Sequence, residues 1–154
     1  GGGRGVALAE AYDADLADTS GRLAALSVRS QVRAGDEILI AGFVITGEAP
    51  KRVVVRGVGP GLAGAVASPL ADPELHVWKL NTATGDWVVV GENDDWDSTP
   101  ATADLFESLG MGALVAGSKD AAVVLTLEPG IYTAQVRGVQ GATGVGLVEL
   151  YEAP

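Results

Sequence analysis

The sequence predicts an all-β domain, a β-sandwich or jelly-roll-like fold with at most one short helix and an extra N-terminal strand. The first observation is composition: 47% of the residues are hydrophobic, only 5% are aromatic, and glycine occurs 22 times among 154 residues. Small apolar residues with many turn formers are typical of all-β domains rather than disordered chains. The second is that short apolar runs alternate with clusters of Gly, Pro, Asn and Asp. The third is their close spacing, which favours a sandwich.

The N-terminal half contains four predicted strands. Residues 6–12 alternate larger side chains with alanine in the manner of a β-strand, and the polar stretch 13–22 separates them from a short strand at 23–28. A strongly apolar strand at 37–46 is followed by a Gly-Glu-Ala-Pro turn and a strand at 51–58, which predicts a hairpin. Because the first of these two strands is apolar on both faces, we expect one face in the core and the other against a second layer or a neighbouring molecule.

The C-terminal half begins with a second predicted hairpin, formed by residues 74–80 and 86–90. An acidic loop follows at 92–100, and residues 101–109 predict one or two helical turns capped by Ser98 or Thr99. Further strands are predicted at 121–127, 131–136 and 145–151. The predicted organisation is therefore a linking strand and linker at 1–21 and a sandwich domain at 22–154.

Charge and cysteine content limit the partners. The net charge is −10 and the isoelectric point about 4.3, which argues against nucleic acid because phosphate binding needs clustered Lys and Arg. No apolar run is long enough for membrane insertion. The chain has no cysteine, which excludes disulfides and thiolate metal sites and is compatible with an exported bacterial protein.

One strand of the sequence occurs twice. The segment that begins at Gly5 and the segment that begins at Gly144 share Gly, Val, Leu, Glu, Tyr and Ala in the same six of ten positions. Alternation places Val6, Leu8, Glu10 and Tyr12 on one face of the first copy, and Val145, Leu147, Glu149 and Tyr151 on one face of the second. Such a copy predicts a joint between modules, either by strand donation or within a tandem array. Whether the first copy is an added edge strand, or one of the two is exchanged, stays open.

Family resemblances rest on longer stretches. Residues 70–75, 92–95 and 122–136 resemble the bacterial pre-peptidase C-terminal domain, a β-sandwich of secreted proteins, some relatives of which bind calcium or collagen. Residues 22–29, 42–47, 50–56, 59–62 and 143–151 resemble repeat modules of large secreted proteins of environmental bacteria. These resemblances imply the sandwich fold and an extracellular or cell-surface location. They imply no catalytic residue.

The acidic loop is a candidate calcium site. Its oxygen-bearing side chains are Glu92, Asn93, Asp94, Asp95 and Asp97, and Asp104 and Glu107 lie close in sequence. Calcium takes six to eight oxygen ligands, and clustered carboxylates on a loop supply them. The alternative is a solvated turn whose Asn and Asp side chains accept hydrogen bonds from backbone N–H groups.

Trp78 and Trp87 flank the second predicted hairpin and are candidates for contact with sugars. The alternative is cross-strand and core packing. His76 is the only histidine, and a lone histidine is more often a surface or core residue of a strand than a general base. Without a second histidine or a cysteine, a serine triad or a zinc site has little to build on. Residues 59–64 fit the G-x-G-x-x-G pattern, but Ser68 and Pro69 end the stretch before a helix can form, which favours a turn-rich loop.

The sequence thus predicts a non-catalytic structural protein: a self-assembling subunit or repeat of an extracellular fibre, whose partners are copies of itself. The alternative is a calcium-stabilised accessory module that binds carbohydrate or matrix protein.

Overall fold

The computed structural model describes residues 24–154 and confirms an all-β sandwich with one short helix in that range. Two antiparallel sheets of four strands each pack face to face. The strands are β1 (Ala25–Val32), β2 (Leu39–Ile45), β3 (Lys51–Val58), β4 (Pro73–Leu80), β5 (Trp87–Asn93), β6 (Ala121–Leu127), β7 (Gly130–Gly138) and β8 (Gly144–Glu152), and α1 covers Pro100–Ser108. The predicted N-terminal strand at 6–12 lies outside the described residues.

Strand order differs from sequence order in both sheets. Sheet A has the order β1-β8-β3-β6, and sheet B has the order β2-β7-β4-β5. The last strand therefore lies inside sheet A, where it pairs with β1 on one side and with β3 on the other. The edges formed by the described strands are β1 and β6 in one sheet and β2 and β5 in the other.

The main core fills the space between the two sheets. Val53 and Val55 of β3 face Leu75 and Val77 of β4 across this layer, and all four are almost completely withdrawn from solvent. Burying a Val or Leu side chain stabilises the fold by roughly 1.5–3 kcal/mol relative to leaving it exposed. The alternating apolar residues that predict the strands thus also determine which face of each sheet points inward.

The predicted hairpin between 37–46 and 51–58 is wrong. The two strands exist, but β2 pairs with β7 in sheet B and β3 pairs with β8 and β6 in sheet A. Both strands have an apolar inner face. Because the chain crosses from one sheet to the other at residues 46–50, these two faces pack against each other across the core. The second apolar face of β2 stays in solvent, since Ile40 and Val44 are each more than half exposed.

Other local predictions are confirmed. The strands predicted at 51–58 and 121–127 have those bounds in the structure, and β4 and β5 form the second predicted hairpin. The register of this hairpin shifts between Val77 and Trp78, which indicates a β-bulge.

Helix α1 covers part of the outer face of sheet A. It begins after Thr99, whose side chain accepts a hydrogen bond from the backbone N–H of Thr102, and a proline occupies its first turn. Phe106 is buried with Trp96, Met111 and Val54, so β3 is packed on both of its faces. No helix in the described residues is long and apolar enough to cross a membrane.

Candidate functional site

The second copy of the repeated strand is β8, a central strand of sheet A. Its residues pair with β1 from Gly144 to Tyr151 and with β3 from Leu147 to Glu152. The residues between the predicted joint positions, such as Val148, belong to the core between the sheets, so the joint face is the outer face of sheet A. That face carries Val145, Leu147, Glu149 and Tyr151, whereas Val6, Leu8, Glu10 and Tyr12 of the first copy lie outside the described residues.

A buried ion pair joins β8 to β3. Glu149 lies opposite Arg56, and the Nε and Nη2 atoms of Arg56 donate to the same carboxylate oxygen at 3.1 and 2.5 Å. The side chains are only 3% and 12% exposed, respectively. Removing one member of such a pair leaves an uncompensated charge in the protein interior, which is strongly destabilising. The position between β1 and β3 that β8 occupies, here called the β8 slot, therefore requires an acidic residue opposite Arg56.

The Arg56 side chain is held by further contacts. Its Nη1 donates to the carbonyl oxygen of Gly112 at 2.7 Å, and its guanidinium carbon lies 4.9 Å from the centre of the Phe106 ring. A guanidinium within about 6 Å of an aromatic ring gains cation–π attraction. Because α1 and the segment after it hold the Arg56 guanidinium in place, Glu149 of β8 pairs with a cation whose position is already fixed.

The beginning of β8 is enclosed by the segment before β4. The backbone N–H of Leu70 donates to the carbonyl oxygen of Val145 at 2.8 Å, and the N–H of Val145 donates to the carbonyl oxygen of Ser68 at 2.7 Å. A Cβ atom at Gly144 would lie 2.7 Å from the Cα and N atoms of Leu70. Only glycine fits there without displacing backbone.

The end of β8 contacts the second apolar cluster, which is formed by α1, its flanking loops and β3. Tyr151 packs against this cluster and Ala153 is buried within it. The backbone N–H of Ala153 donates to the carbonyl oxygen of Arg52 at 2.8 Å. The small side chain of Ala153, just after β8, therefore packs beside β3.

The chain reaches β1 and leaves β8 at the same end of the sheet. Ala25 lies opposite Tyr151, and the backbone N–H of Glu152 donates to the carbonyl oxygen of Ala24 at 2.9 Å. The segment that precedes β1 therefore starts from the side of the module where β8 ends.

The acidic loop is tied to the protein through Asn93. Its Oδ1 accepts the backbone N–H of Ala122 at 2.9 Å, and its Nδ2 donates to the carbonyl oxygen of Asp95 at 2.8 Å. This side chain joins the end of β5 to β6 of the other sheet. A side chain that accepts a backbone N–H group is what the alternative prediction for this loop, a solvated turn, expects.

The carboxylates of the loop point to different partners. Asp95 lies 2.7 Å from Nζ of Lys119, and this hydrogen bond raises the pKa of Lys119. Asp97 accepts the backbone N–H of Thr99 at 3.0 Å and also contacts the hydroxyl of Thr102. Glu92 lies in β5 and not in the loop, since the strand continues to Asn93, and its carboxylate is 3.6 Å from Nε2 of His76 on β4. Within residues 24–154 no group of three or more His, Asp or Glu residues is arranged to hold a metal ion.

Trp78 and Trp87 share the outer face of sheet B. Trp78 lies opposite Val89 and Trp87 opposite Leu80, so the two indoles are diagonal neighbours on one face of the hairpin. Trp87 is 42% exposed. Trp96, by contrast, is buried against Phe106, with ring centres 5.6 Å apart.

His76 is a buried strand residue held by charged neighbours. A guanidinium nitrogen of Arg137 lies 3.2 Å from both of its ring nitrogens, and Arg137 donates to Glu74 at 2.7 Å. This arrangement agrees with a structural role for the histidine.

A further buried carboxylate was missed in the sequence. Asp120 is fully buried and accepts the backbone N–H groups of Gly59 and Gly61 at 2.8 and 3.0 Å, and the hydroxyl of Ser118 at 2.7 Å. It therefore anchors the glycine-rich turn after β3. In the sequence, the apolar residues that follow Asp120 predict a strand. They do not indicate that the aspartate binds the turn after β3.

Comparison with known proteins leaves the resemblances as predictions: neither the protein-family models nor the curated proteins give a match to this chain.

Proposed function

We propose that this protein is a non-catalytic structural module of an extracellular bacterial fibre, joined head-to-tail to other copies by a shared strand. One observation carries the proposal: six of ten residues of the closing strand of the sandwich recur, in the same order and spacing, in the sequence at 5–14. A module that carries a spare closing strand is equipped to complete or extend the sheet of another copy. Head-to-tail contacts of this kind produce an open filament when no ring closes.

The position of β8 supports this proposal. It pairs along its length with β1 and over six residues with β3, and it contributes to both apolar clusters. Each backbone hydrogen bond contributes about 1 kcal/mol net, and each buried Val or Leu about 1.5–3 kcal/mol. Before the cost of association is subtracted, the gross gain from a similar strand bound by another copy is large enough for a durable joint.

The length of the preceding segment allows such a contact. Residues 15–24 span at most about 35 Å when extended, whereas a strand of nine residues such as β8 is about 30 Å long. The copied strand can therefore extend from the end of one module along the whole length of a neighbouring one. The resemblance to repeat modules of secreted proteins supports the extracellular location.

A second candidate function is suggested by sheet B. Two tryptophans lie on its outer face beside the exposed side chains of Val44 and Ile131, which suits an accessory module that binds carbohydrate or matrix protein. Cellohexaose, chitohexaose and a collagen peptide are suitable probes, with tryptophan fluorescence as the readout. Binding that Trp87→Ala removes and Val88→Ala retains would favour this function, because Val88 lies on the opposite face of the same strand.

Negative-stain electron microscopy and size-exclusion chromatography test the structural function. The full chain is compared with a chain that lacks residues 1–13 and with Leu8→Ser/Tyr12→Ser. Leu16→Ser, in the predicted linker, is the matched control. We expect filaments or large species from the full chain and the control, and single modules from the other two. Single modules in all four samples would refute self-assembly, and circular dichroism confirms that each sample is folded.

A further inference from the structure

We propose that residues 5–14 bind in the β8 position of a second copy, between its β1 and β3, with Glu10 paired to the Arg56 of that copy. This inference rests on the proposed function and names the receiving site. It identifies exchange into the β8 slot, rather than addition to an outer edge, as the mode of contact.

The first requirement of the slot is a glycine at its beginning. A side chain at Gly144 would collide with the backbone of Leu70 at 2.7 Å. The equivalent residue of the first copy is Gly5. The copied strand can therefore pass the segment before β4 in the same way as β8.

The second requirement is an acid opposite Arg56. Glu149 provides it in β8, at 2.5 and 3.1 Å from two guanidinium nitrogens. Glu10 is at the equivalent position of the first copy. An arginine that is already positioned by Gly112 and Phe106 selects a strand with a carboxylate at this point.

The third requirement is the shape of the outer face at the far end. Tyr151 packs on the cluster around α1, and Ala153 is buried in it. Tyr12 and Ala14 reproduce these two residues. The copy thus retains the glycine at the start of the slot and the Glu, Tyr and Ala that its outer side contacts.

The inner face differs and determines which strand binds more tightly. Val148 and Leu150 of β8 pack in the core between the sheets, whereas the copy has Ala9 and Ala11. At Gly146 the copy has Ala7, whose Cβ would approach a methyl group of Val32 at 3.0 Å. A module therefore retains its own β8 in preference, and the copy binds when that strand has been drawn out of the slot. The structure of a single module is the closed state of this exchange.

Disulfide trapping distinguishes the slot from an outer edge, and the absence of cysteine from the chain makes the readout unambiguous. Gln31 lies opposite Val145, so a copy in the slot would place Val6 opposite Gln31. Paired positions of antiparallel strands are about 4.5–5.5 Å apart between Cα atoms, which a disulfide can bridge. Full chains carrying Val6→Cys are mixed with full chains carrying Gln31→Cys under mild oxidation. Leu16→Cys replaces Val6→Cys as the matched control.

We expect a covalent dimer from the first mixture and none from the control. In the Val6→Cys chain, Ala9→Val/Ala11→Leu should raise the yield severalfold, since these changes give the copy the Val148 and Leu150 side chains of β8 and leave residues 24–154 unchanged. Glu10→Arg should lower it roughly tenfold or more, because two cations would meet in a buried position. A Gln31→Cys chain that also carries Arg56→Glu and Glu149→Arg, which keeps its own ion pair with the charges reversed, should accept the Glu10→Arg strand and reject the unmodified one.

The outcomes separate the two levels of the proposal. Self-association without the disulfide, or a disulfide insensitive to Glu10→Arg and to Ala9→Val/Ala11→Leu, would place the joint at an outer edge and overturn this inference alone. If no chain self-associates in chromatography, the proposed function fails together with it.

Discussion

Arg56 and Glu149 lie opposite each other on β3 and β8, and two guanidinium nitrogens of Arg56 donate to one carboxylate oxygen of Glu149. This ion pair links β8 to β3, the two central strands of sheet A. Since both side chains are nearly inaccessible to solvent, the interaction is sensitive to the loss of either partner.

We predict that Glu149→Ala lowers the free energy of unfolding by about 3–5 kcal/mol, because Arg56 would remain buried without its partner. The double variant Arg56→Met/Glu149→Leu should lose less free energy of unfolding than the sum of the losses in Arg56→Met and Glu149→Leu. Urea unfolding of the single and double variants measures the coupling. Glu37→Ala is the control, since it breaks an exposed pair with Arg33 that contributes at most about 1 kcal/mol. Strictly additive losses at 56 and 149 would contradict the prediction.

The second prediction concerns Asp120. Asp120→Ala leaves the buried N–H of Gly59 without its acceptor and removes the acceptors of Gly61 and Ser118. We expect a loss of at least about 2–3 kcal/mol, because each unsatisfied buried group costs about 1–3 kcal/mol. Asp95→Ala, whose carboxylate pairs with Lys119 at the surface, serves as the control. Equal effects in the two variants would show that the buried carboxylate does not anchor the turn.

The third prediction concerns the glycine at the start of β8. Gly144→Ala should destabilise the module by roughly 1–3 kcal/mol, because the new methyl group would overlap the backbone at Leu70. Gly112→Ala meets no atom within 4 Å and should be neutral or slightly stabilising. Thermal unfolding of both variants checks the contrast, which would disappear if the segment before β4 moved aside freely.

The fourth prediction concerns the acidic loop. Asn93→Ala should cost about 1–3 kcal/mol, because the N–H of Ala122 loses its acceptor at the junction of the two sheets. Asp94→Ala, an exposed neighbour in the same loop, should change stability by less than about 0.5 kcal/mol. Urea unfolding in the presence of a chelator measures both.

Calcium titration of the same loop tests the metal prediction made from the sequence. A site that binds calcium only in the folded state raises stability by about 2.7 kcal/mol at a hundredfold excess over its dissociation constant. The increase should be reduced by Asp94→Asn or Asp95→Asn. A thermal midpoint that is the same in calcium and in chelator would refute the prediction.

The sequence predicts local structure better than strand partnership. The bounds of β3 and β6, the hairpin of β4 with β5 and the Thr99 cap follow from short patterns of apolar, turn-forming and capping residues. The pairing of β2 with β7 does not, because it depends on which apolar faces meet across the sandwich. A short connection such as residues 46–50 is compatible with a hairpin and with a crossing between sheets.

The candidate site shows the same division. Repetition in the sequence identifies the outer face of β8, including Glu149. It does not identify Arg56 as the partner of this residue, because a charged side chain in a predicted strand normally points to solvent. That position is buried because Phe106 of α1 and the carbonyl of Gly112 lie against the guanidinium. Asp120 was missed for a similar reason, since its role depends on a turn that is distant in sequence.

The closeness of Ala24 to Glu152 has a mechanical consequence. If a fibre were pulled through the segment before β1 and the segment after β8, the load would separate these two antiparallel strands from one end, breaking their hydrogen bonds one after another. Unzipping of this kind resists force poorly, whereas a strand pulled along its own axis must break many bonds at once. A copied strand bound in the β8 position would leave the receiving module at this same end, beside the start of β1, so a pull between two modules would also load their joint from one end.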